Sequence, residues 1–116
     1  MVMQVNETAV HKAKSLIASH QYVLDSSWGD AQPTTEAENA FLDRHDWKAY
    51  GQWYLGIDAD ASEETKESHG FPYGDFRRVH RSGLIAAKQR ASQYEHVEVA
   101  NAAATLLELL DARKAS

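Results

Sequence analysis

Apolar residues recur along most of this chain every three or four positions, the spacing that lines one face of a helix. Val10, Ala13, Leu16 and Ile17 predict a first helix from about Glu7 to His20, with Asn6 as its N-cap and Val5 placed to pack back against Val10. Tyr22-Val23-Leu24 is a short apolar run that suits a strand or a buried extended piece. Asp25 to Pro33 carries Ser26, Ser27, Gly29 and Asp30, which is loop chemistry, and Trp28 within it is expected to plug the loop onto the core. Thr35 with Glu38 three residues on is a capping-box pattern ahead of Phe41-Leu42, predicting a short helix from Glu36 to about Arg44. Another helix is predicted from Asp46, because Trp47, Tyr50, Trp53 and Tyr54 share one helical face, with Gly56 closing it.

Ile57 to Gly70 is acidic and polar, with one turn of helix expected around Glu63 to Glu67. Phe71-Pro72-Tyr73-Gly74 has turn chemistry, and Asp75 is placed to cap a helix predicted from Phe76 to about Gln93. A last helix is predicted from about Glu95 to Arg113. Its Val99, Ala102, Ala103, Leu106, Leu107, Leu109 and Leu110 make a face wide enough for a core or for an interface between two copies, a homodimer. No repeat or long linker divides the chain, so residues 1–116 are expected to form a single helical domain. The fold the pattern predicts is all-α: a compact bundle of four to five helices, the last two an antiparallel pair, with a short strand near residues 22–24.

Composition acts by exclusion. The chain has no cysteine, which removes disulfides, thiolate metal sites and a cysteine nucleophile and suits a reducing compartment. The first residues lack a signal peptide's basic and apolar regions, and no apolar stretch is long enough to span a bilayer, so a cytoplasmic, non-membrane protein is expected. The net charge of −5 is unevenly spread. Tyr22 to Asp75 holds twelve acidic and three basic residues, whereas Phe76 to Tyr94 holds five basic residues and no acidic one.

That charge pattern supplies the first candidate surface. On a continuous helix Arg77, Arg81 and Lys88 form one stripe with Arg78 beside it, and Tyr73 stands at the turn before it. Guanidinium forks suit phosphates or an acidic protein, and the same residues could equally pair with the chain's own acidic middle. The low pI weighs against nucleic acid. A second candidate is aromatic: eight of the eleven Phe, Trp and Tyr residues lie between Phe41 and Phe76. Trp47, Tyr50, Trp53 and Tyr54 could line a ligand pocket, although an aromatic stripe at helical spacing usually belongs to a core.

Other chemistry finds little support. The six histidines form no metal-binding pair, and Asp58, Asp60 and Ser62 open like a calcium loop that then fails, with Glu63 where glycine is required and His69 where the closing Glu belongs. No metal or cofactor is therefore expected. Ser82 lacks the glycines of a nucleophile elbow. Asp75, Arg78 and His80 could form a polar site near the turn, but Asp75 reads as a cap and His80 as a partly exposed helix residue. No catalytic residue is assigned.

Several runs resemble a family of small uncharacterised bacterial proteins. They are Asp25-Ser26-Ser27-Trp28 with Ala31-Gln32-Pro33, Glu38-Asn39, Phe41-Leu42, Trp53-Tyr54-Leu55-Gly56, Glu64-Thr65-Lys66 and, above all, the unbroken run from Phe71-Pro72-Tyr73-Gly74-Asp75 through Val79-His80-Arg81-Ser82-Gly83 to Ala87. The resemblance spans Asp25 to about Asp111. It implies a free-standing domain and carries over no activity, ligand or catalytic residue. The function expected is therefore a non-enzymatic binding or adaptor module that uses Arg77, Arg78, Arg81 and Lys88 on a protein partner. The alternatives are nucleic-acid binding through the same residues and small-ligand binding among the aromatics.

Overall fold

The first strand, β1 (Met3–Val5), leads directly into α1 (Glu7–Ala18), whose Ala9, Val10, Ala13 and Ile17 are buried. The structure, a computed structural model, describes residues 3–62 and 64–114. Asn6 occupies the N-cap position, but its side chain does not cap. Its Nδ2 donates instead to the carbonyls of Gly51 (2.9 Å) and Tyr54 (3.1 Å), tying the start of α1 to a distant segment.

The all-α expectation is overturned: the chain is a mixed α/β fold with two small sheets. After β2 (Tyr22–Val23) come the short helices α2 (Trp28–Ala31), α3 (Thr35–Arg44) and α4 (Trp47–Gly51). The cap of α3 is Thr34, which accepts from the Ala37 N–H, so the Thr35–Glu38 capping box does not form. Helix α4 stops at Gly51, where a Cβ would stand 2.9 Å from the His69 ring, and Tyr54–Asp58 becomes the strand β3. A short apolar run cannot be told from helix by periodicity alone. Here the strand wins because it is the centre of the antiparallel order β1-β3-β4 and is paired on both edges.

A 3₁₀ turn (Lys66–Ser68) leads into β4 (His69–Pro72). It covers the end of the helical turn expected at Glu63–Glu67; Glu63 itself lies outside the described residues. Phe71 and Pro72 therefore lie in a strand, not in a turn, and Phe71 sits at φ 63° with its ring over Gly56. The predicted Phe76–Gln93 helix is also shortened. Phe76 takes φ 67°, a left-handed conformation no helix admits, and β5 (Val79–His80) pairs in parallel with β2 before α5 (Arg81–Gln93) begins. Helix α6 (Val97–Lys114) returns along α5 and buries Val99, Ala103, Leu106 and Leu110 within the chain, leaving Leu109 and Val97 outside. No helix among the described residues is long and apolar enough to cross a membrane.

Candidate functional site

The basic stripe does not survive the shortening of α5. Arg77 and Arg78 lie in the exposed turn before β5, and Arg81 is the first residue of the helix. Arg81 donates from Nε to Asp111 Oδ1 (2.9 Å) and from Nη2 to Asp111 Oδ2 (3.2 Å), joining the start of α5 to the end of α6. Both side chains stay about one-third exposed, so the pair contributes no more than about 1 kcal/mol. Lys88 is exposed, while Tyr73 is fully buried and donates its hydroxyl to the Gln52 carbonyl (2.9 Å).

The four aromatics named for a ligand pocket are not brought together around one. Tyr50, Trp53 and Tyr54 are core residues. Trp47 lines a cavity of about 340 Å³ between α1, α4 and His69. The Tyr50 and Tyr54 hydroxyls donate to Glu38 Oε2 (3.2 and 2.7 Å), whose other oxygen faces Lys66. Burial pushes the Tyr50 hydroxyl up to about 12 and the Tyr54 hydroxyl higher still. Among the described residues no three His, Asp or Glu side chains converge as a metal site would need, and Asp58 Oδ1 accepts the Asp60 N–H (3.0 Å).

Two features do converge beside the start of α5. The first is a hydrogen-bonded line of four side chains: Asp75 Oδ2 to His80 Nε2 (2.9 Å), His80 Nδ1 to Ser26 Oγ (2.7 Å), and Ser26 Oγ to Ser82 Oγ (2.8 Å). His80 is buried, not partly exposed, and occupies the N-cap position of α5. Asp75 caps its own turn, accepting the N–H groups of Arg77 (3.0 Å) and Arg78 (2.8 Å) on Oδ1. Burial raises the Asp75 carboxyl, but hydrogen bonds from His80 and the Arg78 N–H outweigh it and hold the group below the ordinary carboxylate range.

The second is a groove of about 600 Å³ between α2, β4 and α5. Ala86 and Ala87 of α5 and Gly70 of β4 bring no bulk to it. Trp28, Phe71 and Pro72 supply apolar walls, and Gln32, Gln89, Gln93 and Arg90 supply polar groups. Trp28 belongs to both features: its indole lines the groove, rests on Gly83 and stands 6.1 Å from the His80 ring. The Trp28 loop thus does pack onto the body of the protein, and it does so at α5. Comparison with protein-family models, with curated proteins and with solved structures gives no match to this chain.

Proposed function

We propose that this chain is a binding protein that holds a small neutral polar ligand in the Trp28–Phe71 groove. The observation that carries the reading is the groove's composition. Its size suits a small molecule, since ligand sites run from about 300 to 1,000 Å³. Indole and phenyl faces take up an apolar ring surface, and three glutamine amides each offer both donors and an acceptor. Arg90 does not turn the site toward anions. It lies in the last turn of α5, where the helix dipole offsets a positive charge, and its guanidinium stands over the Tyr94 ring at 5.7 Å. An apolar face with a rim of hydroxyls, the chemistry of a sugar ring, answers this lining best. The absence of cysteine supports a cytoplasmic setting.

The test is a titration with mono- and disaccharides followed by tryptophan emission. A saturable change is expected, abolished by Trp28→Phe and weakened ~10-fold by Gln89→Ala, the loss of about one hydrogen bond. An emission spectrum that no sugar alters, or an affinity indifferent to Gln89, would overturn the reading.

A second reading rests on the exposure of Arg77, Arg78 and Lys88, which could capture an acidic partner. It predicts that labelled single-stranded DNA, a simple polyanion, binds at low salt with an affinity falling steeply as salt rises. Arg77→Glu with Arg78→Glu should remove that binding. Absence of binding at low salt sets the reading aside.

A further inference from the structure

The line from Asp75 to Ser82 has a direction. The Asp75 carboxyl is ionised at neutral pH and has no hydrogen to give, so His80 Nε2 must donate in the 2.9 Å bond. A neutral imidazole with its hydrogen on Nε2 presents a lone pair at Nδ1. With the ring in this neutral form, Ser26 donates its hydroxyl hydrogen to Nδ1 across 2.7 Å, and the Ser82 hydroxyl is left to donate to Ser26 Oγ across 2.8 Å. One carboxylate thus sets the polarity of four side chains and leaves a serine hydroxyl hydrogen-bonded to an oriented base.

We propose that Ser26 is an acyl-transfer nucleophile with His80 as its general base, and that the chain hydrolyses small carboxylic esters. Three further observations favour this over a purely structural clasp. Ser26 keeps part of its surface in solvent, whereas His80 is only 5% exposed. The Trp28 indole stands beside the His80 ring and shields it from water on that side. Ser82 is the second residue of α5, which places its hydroxyl at the positive end of a thirteen-residue helix, next to where negative charge would develop. The ring is used in the opposite sense from a serine protease, with Nδ1 toward the nucleophile. Either nitrogen can act as the base once the other is held by a carboxylate.

In the first half-reaction Ser26 Oγ bonds to the ester carbonyl carbon and its proton passes to His80 Nδ1. The bond from that carbon to the alcohol oxygen then breaks, and the departing alkoxide takes the proton from His80. In the second half a water molecule attacks the acyl carbon and gives its proton to His80. The bond from that carbon to Ser26 Oγ breaks, His80 returns the proton to Ser26 Oγ, and the carboxylic acid leaves. Asp75 touches no reacting atom; it is a positioning residue that fixes the ring tautomer.

The whole chain is incubated with a fluorophosphonate, in which Ser26 Oγ would displace fluoride from phosphorus, and in parallel with p-nitrophenyl acetate. One phosphonyl adduct per chain is expected, located on Ser26 by peptide mass spectrometry. His80→Gln should slow both reactions by about 100-fold or more. Asp75→Asn separates positioning from folding. Its amide oxygen can still accept the two turn N–H groups, while its NH₂ would donate to Nε2 and drive the ring hydrogen to Nδ1, away from the Ser26 proton. That variant should stay folded with a melting temperature within about 5 °C of the native chain, show the switched tautomer in the ¹⁵N spectrum of His80, and lose labelling. No adduct on Ser26 in the native chain overturns the proposal, as does an Asp75→Asn variant with the switched tautomer that still labels at the native rate.

Discussion

Replacing Gly83 with alanine will destabilise the protein by about 2 kcal/mol, a net of overpacking against helix propensity. In an ordinary helix interior the same change stabilises by about 1 kcal/mol, because alanine restricts the unfolded chain and suits the helix better. Gly83 has no positive φ, so its backbone does not demand glycine. Space decides the sign. An added Cβ would stand 2.6 Å from the Tyr73 carbonyl oxygen and 2.7 Å from the Trp28 ring. The indole could turn aside, but the carbonyl is main chain, belongs to a fully buried residue and already accepts the His80 N–H at 3.0 Å. Helix α5 must therefore move off β4, at a cost of about 1–3 kcal/mol for overpacking plus about 1 kcal/mol for a weakened hydrogen bond. Thermal melts should place Gly83→Ala about 10 °C below the native chain. Gly29→Ala is the control, since the nearest atom to its Cβ is Ser27 Oγ at 4.0 Å. Equal melting temperatures for Gly83→Ala and the native chain would mean that the contact yields.

The helices at the two ends of the chain were legible because each presents one apolar stripe and little else. Of the predicted faces, α1 buries Val10, Ala13 and Ile17, and α6 buries Val99, Ala103, Leu106 and Leu110; Leu16, Ala102 and Leu107 are half-buried and Leu109 is exposed, while Ala9 and Ala100 join the core. The middle was not legible, for two physical reasons. This central strand is buried on both faces, so Tyr54-Leu55-Gly56-Ile57-Asp58 lacks the alternation that betrays a half-buried strand. Its partners Met3–Val5 and His69–Pro72 are short and distant in sequence, so no local hairpin signal marks the sheet. At Phe76 the helical spacing is real, yet the backbone turns left-handed and the ring stacks on Phe41 at 4.6 Å, a tertiary contact invisible to periodicity.

The candidate site shows the same split. Ser26 and His80 stand 54 residues apart and meet only because β2 and β5 pair in parallel, Tyr22 with Val79 and Val23 with His80. That pairing sets the residues following β2 beside the start of α5. The signal that was available lay in the two runs Asp25-Ser26-Ser27-Trp28 and Phe71 to Ala87, which hold all four polar residues of the line between them. Asp75 does not cap the helix its position predicts: it caps the turn at Arg77 and Arg78, and the N-cap position of α5 belongs to His80. A helix starting at Phe76 would rotate His80 outward; with α5 starting at Arg81, His80 precedes the helix and is buried.

Asp75→Ala should lower stability by about 3 kcal/mol at neutral pH, and Asp75→Asn by about 1 kcal/mol or less. Alanine leaves the buried His80 Nε2–H without an acceptor, worth about 1–3 kcal/mol, and removes the cap from the Arg77 and Arg78 N–H groups, worth about another 1 kcal/mol. The carboxyl is itself 34% exposed, which holds the total below the top of the summed range. Because hydrogen bonding holds the native Asp75 pKa below its unfolded value, the carboxylate's contribution is complete above the unfolded value of about 3.9 and disappears as pH falls through the native one. Urea unfolding from pH 7 to pH 2 should therefore show a constant gap between the native chain and Asp75→Ala down to about pH 4, narrowing only below it. A gap that closes between pH 7 and pH 5 would assign the linkage to another group. A gap that is constant through pH 2 would mean that Asp75 binds its proton equally well in the folded and unfolded chains, and that the hydrogen bonds it accepts do not favour its ionised form.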